Sequence, residues 1–206
     1  AKLLMNAKDW TGAINKFSEM SAAFVANRDV KLQHAKAYAG RCGFGFMFMV
    51  EDLASNLASS TLFKIFLDSM QGATTSEADD CIQAEALLYS INNDPSKRTE
   101  NENLNLAFIS FAKIGAILAA YADDTTVDGL VDGDFDACAD NTTPGLPNTP
   151  TEYAGHVATG FNHALKSLEA ALASGGSVGT DELTALSDAC TAIESYAPSY
   201  NFCDVY

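Results

Sequence analysis

The stretch Asp29–Leu57, DVKLQHAKAYAGRCGFGFMFMVEDLASNL, decides how the rest of the chain can fold. Leu32, Ala35 and Ala39 recur at helical spacing in its first half, which predicts an amphipathic helix. The second half, Gly43–Val50, is apolar on all sides, and a helix without a polar face must be surrounded by protein or border an apolar cavity. We therefore predict one long helix over this stretch, at the centre of the molecule.

Three glycines, Gly40, Gly43 and Gly45, lie close together in this predicted helix. Each glycine in a helix interior costs roughly 1 kcal/mol relative to alanine. We therefore expect a contact whose stabilisation offsets this cost, such as the close approach of another helix or of a ligand. Two interpretations stay open: the segment is the core helix of a bundle, or its Phe and Met side chains also line a lipid-sized cavity, which suits large, adaptable apolar groups.

Apolar residues recur at helical spacing along most of the chain, and no convincing alternating strand pattern is present. We predict a single all-α domain over 1–206, a compact bundle of about seven to eight antiparallel helices. Tetratricopeptide-like helical hairpins are expected in 1–122, an acidic loop in 123–149, and a helical hairpin with a tail in 150–206.

The second strongly apolar segment is Leu104–Tyr121, and we expect it to pack directly against the first. A capping box, Thr99 to Glu102, starts this helix. Lys113 stands near its centre, where a charge is costly in lipid. The segment is therefore predicted to be a core helix and not a membrane span.

The chain carries 12 basic and 27 acidic side chains, a net charge of −15. Such an acidic surface repels phosphate, which argues against nucleic acid and anionic membrane as partners. The chain begins at Ala1 without an initiator Met, and we expect that an N-terminal segment has been removed.

Five cysteines without CxxC spacing argue against a zinc site and against a dithiol motif. Cys138 lies in a polar loop and Cys203 in a C-terminal tail, which are poor places for inert thiols. Disulfides and an oxidising compartment such as the periplasm are therefore favoured. The simplest pairs are Cys190–Cys203 and Cys81–Cys138, which leave Cys42 as a buried thiol.

Aspartates crowd the predicted loop at 123–149. Three of them alternate as at the start of a calcium loop, but Ala137 stands where such a loop has Gly, and Thr143 where it has Glu. Two interpretations stay open, a non-standard calcium site and a solvated acidic loop. The sequence predicts no cofactor other than this calcium ion. The candidate ligands are Asp128, Asp132, Asp134 and Asp136.

No catalytic motif stands out in the chain. His156 and His163 are seven residues apart, two helical turns, which is too far for the pair alone to bind one metal. The adjacent carboxylates Asp79 and Asp80 are expected to be solvated on a polar face or at a helix end. We predict that the protein is not an enzyme.

Residues 7–20, AKDWTGAINKFSEM, resemble the second half of a tetratricopeptide repeat. Trp10 stands where that repeat has its turn aromatic, and Ala13 and Phe17 where it has its small-then-aromatic pair. The segment Ala35–Phe44, AKAYAGRCGF, is similar to the helical periplasmic proteins related to TatT, the tetratricopeptide-like protein associated with TRAP transporters. Arg98–Asp123 is also similar to such proteins, so the resemblance covers about the first 120 residues.

The resemblance implies an exported, often lipid-anchored helical protein that works beside a periplasmic binding protein or transporter component. The resemblance implies a location in the periplasm. An N-terminal lipid anchor, held in the outer membrane in one branch of these proteins, would be the only attachment to a membrane. That branch looks like the outer component of bacterial sterol transport, which binds an apolar lipid.

We therefore expect a periplasmic carrier that buries a lipid such as a sterol between the two apolar helices, with a tyrosine hydroxyl to orient it. The alternative is a non-enzymatic tetratricopeptide-like scaffold that partners a periplasmic binding protein, with the two helices as plain core. A third hypothesis, a calcium-dependent surface or secreted protein, depends on the aspartate loop. The predicted pocket residues are Tyr38, Phe44, Met47, Phe48, Phe108, Phe111, Ile114 and Tyr121.

Overall fold

A computed structural model describes residues 1–45, 62–123 and 151–173 of the chain. Within these ranges the chain forms eight α-helices, one short 3-10 helix at Pro95–Lys97 and no strand, which confirms the predicted all-α bundle. The helices are α1 (Lys2–Asn6), α2 (Trp10–Ser18), α3 (Ala22–Val25), α4 (Arg28–Arg41), α5 (Leu62–Ser69), α6 (Thr75–Tyr89), α7 (Glu100–Ala122) and α8 (Thr151–Ala173).

Helix α7 is the core of the bundle, and α5, α6 and α8 pack against it. Every residue from Leu106 to Ala119 is buried. The predicted capping box is present: Thr99 accepts a hydrogen bond from the Glu102 N–H, and the Glu102 side chain accepts one from the Thr99 N–H. By length and composition α7 is the one helix in the described ranges that could cross a membrane, but 78% of its apolar window is buried in protein, as in a core helix.

The predicted single helix over 29–57 is wrong, because α4 ends at Arg41. Its start is capped by Asn27, whose side-chain oxygen accepts from the Asp29 N–H at 2.9 Å. Just past its end, Gly43 has φ +88°, a left-handed conformation that glycine adopts at little cost and that commonly ends helices. The rest of the predicted helix, 46–61, lies outside the described residues.

The predicted packing of 29–57 against α7 is seen in part: Ala35 and Ala39 of α4 share a buried cluster with Leu106 of α7, and 46–57 lies outside the described residues. Helix α4 packs chiefly on α6 and α2, whereas the main partner of α7 is α8. Small side chains explain the α4–α6 contact, since Ala35 and Ala39 share a buried cluster with Ala84. On the α2 side, a Cβ at Gly40 would lie 2.6 Å from the Trp10 indole, so the close approach expected at a helical glycine is that of α2.

Two links join the C-terminal end of α4 to α6. Cys42 and Cys81 form a disulfide with their Cα atoms 5.3 Å apart, and both are buried. Beside it, Arg41 donates from Nε and Nη2 to the two carboxylate oxygens of Asp80, at 2.7 and 2.6 Å. Asp80 is only 6% exposed, so the expectation of a solvated carboxylate is wrong at this position.

The observed disulfide corrects two predictions, the Cys81–Cys138 pair and the free thiol at Cys42. The physical reason is the unforeseen packing of α4 on α6, which places the two thiols face to face. Cys138 and the predicted pair Cys190–Cys203 lie outside the described residues.

We predict that loss of the Cys42–Cys81 bond, which closes a loop between residues separated by 39 positions, lowers the free energy of unfolding by roughly 2–4 kcal/mol. Guanidinium titrations of the Cys42→Ala/Cys81→Ala variant and of the native chain, each with and without reductant, measure the difference. Tryptic mapping should link the peptides 42–64 and 65–97 in the unreduced chain, since Arg41, Lys64 and Lys97 are cleavage sites. A Cys81 peptide linked to Cys138 would contradict the structure.

Candidate functional site

A polar cluster lies in the middle of the bundle, and we call it the Lys113 cluster. It consists of Glu85 from α6, Ser110 and Lys113 from α7, and Thr159 and His163 from α8. The Lys113 side chain is fully buried, and that of Glu85 is 6% exposed.

The Glu85 carboxylate is the hub of this cluster. Lys113 Nζ donates to its Oε2 at 2.5 Å, and Ser110 Oγ donates to its Oε1 at 2.7 Å. His163 Nδ1 lies 3.1 Å from the same Oε1. Lys113 also donates to Thr159 Oγ1 at 3.2 Å. One carboxylate therefore connects all three of the long helices α6, α7 and α8.

Helical spacing explains how the sequence builds the cluster. Ser110 and Lys113 are three residues apart on α7 and so share one face, and Thr159 and His163 are four apart on α8. Between the last two stands Gly160, where a Cβ would lie 3.0 Å from Lys113 Cε. The glycine thus lets α8 approach close enough to cover the lysine.

Burial and pairing act on the pKa of Glu85 in opposite directions. Burial raises it, but the neighbouring His163 and the Lys113 ammonium lower it by more, so the pKa lies below its usual value. Burial lowers the pKa of Lys113, and Glu85 offsets part of that change. The carboxylate is thus ionised at neutral pH, and the lysine is the countercharge that makes its burial tolerable.

The cluster does not have the geometry of a hydrolase triad. In such a triad the histidine lies between the hydroxyl nucleophile and the acid. Here the Glu85 carboxylate lies between Ser110 and His163, and Ser110 is completely buried. The arrangement can fix the register of three helices, and it leaves the serine without access to a substrate.

A second buried cation joins the start of α7 to α8. Among the described residues, every hydrogen-bond partner of the Arg98 side chain is a neutral group, and burial lowers the pKa of Arg98. Its Nε donates to Asn103 Oδ1 at 2.8 Å, its Nη1 to the Asn92 carbonyl at 3.1 Å, and its Nη2 to Ser167 Oγ at 3.3 Å.

Glu102 links α7 to α4 through two hydrogen bonds from Arg28. Burial raises the pKa of Glu102, but the bonds from Arg28 and Thr99 together hold that pKa below its usual value. Capping of α7 and docking of α4 therefore depend on the same carboxylate.

An aromatic group lies at the surface where α6, the end of α7 and the start of α8 meet, and we call it the Tyr153 cluster. Its members are Asp79, Tyr121, Tyr153 and His156. The Tyr153 hydroxyl donates to Asp79 Oδ1 at 2.7 Å, which raises the pKa of Tyr153. The Tyr153 ring centroid lies 5.3 Å from that of Tyr121 and 6.4 Å from that of His156.

The predicted pocket residues on α7 are packed against protein. Phe111 is buried and stacks on Phe66 of α5, with ring centroids 5.2 Å apart. Ile114 is buried against α8, where a Cβ at Gly160 would lie 2.9 Å from its Cγ1. Phe108 lies in the buried apolar cluster that also contains Phe111 and Ile114.

The other predicted pocket residues are spread over the bundle. Tyr38 is half-buried, with its ring 5.1 Å from that of His34 and with Arg41 above it at 5.4 Å. Tyr121 contacts Tyr153, and Phe44 packs at the edge of two core clusters. Met47 and Phe48 lie outside the described residues.

Within 1–45, 62–123 and 151–173, no group of three or more His, Cys, Asp or Glu could hold a metal ion. The predicted calcium ligands, Asp128, Asp132, Asp134 and Asp136, lie outside these ranges, and the calcium site stays a prediction.

Sequence reasoning missed the Glu85–Lys113 pair. A signal for it was present, because a lysine in the middle of an apolar core helix requires a buried countercharge. Glu85 stands between the apolar positions Ala84 and Leu88 on α6, which marks it as the carboxylate facing inward.

No protein-family model, curated protein or solved structure matches the chain. The similarity to TatT-related periplasmic proteins therefore stays a prediction.

We predict that Lys113→Met lowers the free energy of unfolding by about 3–5 kcal/mol, because it leaves the Glu85 charge buried and unpaired. The double variant Glu85→Leu/Lys113→Met should lose far less than the sum of its two single variants. Urea titrations of the four proteins give the coupling energy. As a control, Lys97→Met removes the exposed ion pair between Lys97 and Asp94. It should lower the free energy of unfolding by less than about 1 kcal/mol. Additive losses at Glu85 and Lys113 would contradict the structure.

We also predict that stability falls in acid through Glu85 and Glu102. The folded pKa of each lies below the ordinary value of 4.5, so their contribution is complete above that pH and is lost as the pH falls through the folded pKa values. Urea titrations from pH 6 to pH 2 should show a shallower decline for Glu85→Gln than for the native chain. Glu169→Gln, which removes a charge from the exposed face of α8, is the matched control. An unchanged slope for Glu85→Gln would count against the assigned pairing.

Proposed function

We propose that the chain is a non-catalytic helical scaffold that binds a partner protein. The observation that carries this proposal is the Lys113 cluster, in which Ser110, Lys113 and Glu85 satisfy one another inside the bundle. Serine, lysine and glutamate side chains, which enzymes often use for catalysis, here connect helices α6 and α7.

The packing of α7 supports the same proposal. Its apolar residues are covered by α5, α6 and α8, so protein contacts alone account for a helix without a polar face. The Cys42–Cys81 disulfide favours an exported protein, since disulfides persist in oxidising compartments such as the periplasm. A periplasmic binding protein or transporter component is the partner class that the sequence resemblance suggests.

A lipid carrier is the second candidate, and the position of Phe44 favours it. Phe44 is half-buried beside two core clusters and directly precedes Gly45 and the apolar run 46–50. A sterol-sized pocket at Phe44 would not use Phe111 and Ile114, which already pack against protein.

The scaffold proposal predicts a partner protein that binds saturably. The oxidised chain is used as bait in an envelope extract, and the captured protein is purified and titrated against the bait. We expect micromolar or tighter affinity that weakens with salt, as for a charged surface. A helical protein of similar net charge is the control bait. Failure of every captured protein to saturate the purified chain would contradict the scaffold role.

The carrier proposal predicts retention of sterols or fatty acids above that of the same control protein. Phe44→Ala should reduce the retention severalfold, because it removes apolar contact area from the pocket. Phe24→Ala, at a side chain that is 53% exposed, is the matched control. Equal retention by the chain and by the control protein would defeat the carrier.

A further inference from the structure

We propose that the Tyr153 cluster is the docking surface for a basic segment of the partner protein, with a lysine or arginine side chain that pairs with Asp79 and lies against a tyrosine ring. This inference rests on the scaffold function and names the surface and the partner chemistry that it would use.

The geometry brings three helices to one place at the surface. Tyr153 of α8 donates to Asp79 of α6, and its ring lies 5.3 Å from Tyr121 at the end of α7, with the two ring planes inclined by 51°. The His156 ring centroid lies 6.4 Å from that of Tyr153. Asp79 is exposed and the three rings are half-buried, so an incoming side chain can reach them.

These groups match the chemistry of a cation. A carboxylate has about four lone-pair positions, and the Tyr153 hydroxyl uses one of those on Asp79. Aromatic faces attract ammonium and guanidinium groups within about 6 Å of the ring centroid. The hydrogen bond to Asp79 raises the pKa of Tyr153, so the phenol keeps its proton and remains the donor.

The charge balance of α6 favours a basic occupant. The helix carries four carboxylates and no basic residue. Two of them are neutralised inside the fold, Asp80 by Arg41 and Glu85 by Lys113. Among the described residues, no basic side chain lies within ion-pair distance of Asp79.

Helix α8 adds little positive charge near the cluster. The first turns of α6 and α8 carry the positive ends of their helix dipoles, which offset part of the negative charge. The one lysine of α8, Lys166, follows Tyr153 by 13 residues, about 20 Å along the helix.

A second aromatic pair provides an internal comparison. Tyr89 stacks on His163 with ring centroids 4.2 Å apart, and 37% of Tyr89 is exposed. The nearby carboxylate, Glu85, is already paired with Lys113. A cation therefore gains less electrostatic stabilisation at Tyr89 than at Tyr153, although Tyr89 is the more exposed of the two rings.

The test is a fluorescence anisotropy titration of the oxidised full chain with a fluorescein-labelled hepta-arginine peptide at low salt. Asp79→Asn keeps the acceptor for Tyr153 but removes the charge, and we expect about fivefold to tenfold weaker binding. Tyr121→Leu should weaken binding by about threefold or more. The matched controls, Glu169→Gln for the charge and Tyr89→Leu for the ring, should stay within about twofold of the native chain. Circular dichroism melts show whether each variant is folded.

Several results would overturn the inference. Equal loss of affinity in Asp79→Asn and Glu169→Gln would mean general attraction to an acidic protein, and absence of saturable binding would mean that there is no such surface. A dimer of this chain that Asp79→Asn dissociates would assign the surface to a second copy.

The same variants separate this inference from the scaffold proposal. A partner protein that binds the native chain and Asp79→Asn equally well leaves the scaffold standing and removes the docking surface. Peptide binding as expected, without any saturable partner protein, contradicts the scaffold on its own.

Discussion

The ion pair between Glu85 and Lys113 is the interaction on which the rest of the bundle depends. A buried charge without a partner costs several kcal/mol, so neither residue can leave the other without weakening the fold. The two residues belong to α6 and α7, and His163 and Thr159 bring α8 to the same place. The pair therefore sets the relative positions of the three longest described helices, which apolar packing alone would leave freer to slide.

That constraint shapes the surface as well as the core. With α6 and α8 both held against α7, Asp79 and Tyr153 meet at one end of the contact, and Tyr89 meets His163 further along. Aromatic and acidic groups that the fold already holds in place favour protein binding, since less ordering is left for the binding event. The structural role of the ion pair and the proposed scaffold role are thus parts of one explanation.

The sequence predicted the all-α class and the position of α7, but it missed the end of α4 and the pairing of α4 with α6. Helical periodicity and the Thr99 capping box placed α7, because both signals are local. Periodicity could not show that Gly43 adopts a left-handed conformation that ends α4, since an apolar run reads the same in a helix and beyond it. The Cys42–Cys81 bond and the position of Phe111 depend on which helices touch, and single-sequence patterns carry no such pairwise information.

The most direct test of this account is the ionisation state of Glu85 in the folded chain. Carbon-13 NMR of the Glu85 carboxyl, assigned by comparison with Glu85→Gln, gives its titration midpoint. The account predicts a midpoint below the ordinary value of 4.5, because Lys113 and His163 outweigh burial. A midpoint above that value would mean that burial outweighs Lys113 and His163, which would contradict the ion pair as the centre of the fold.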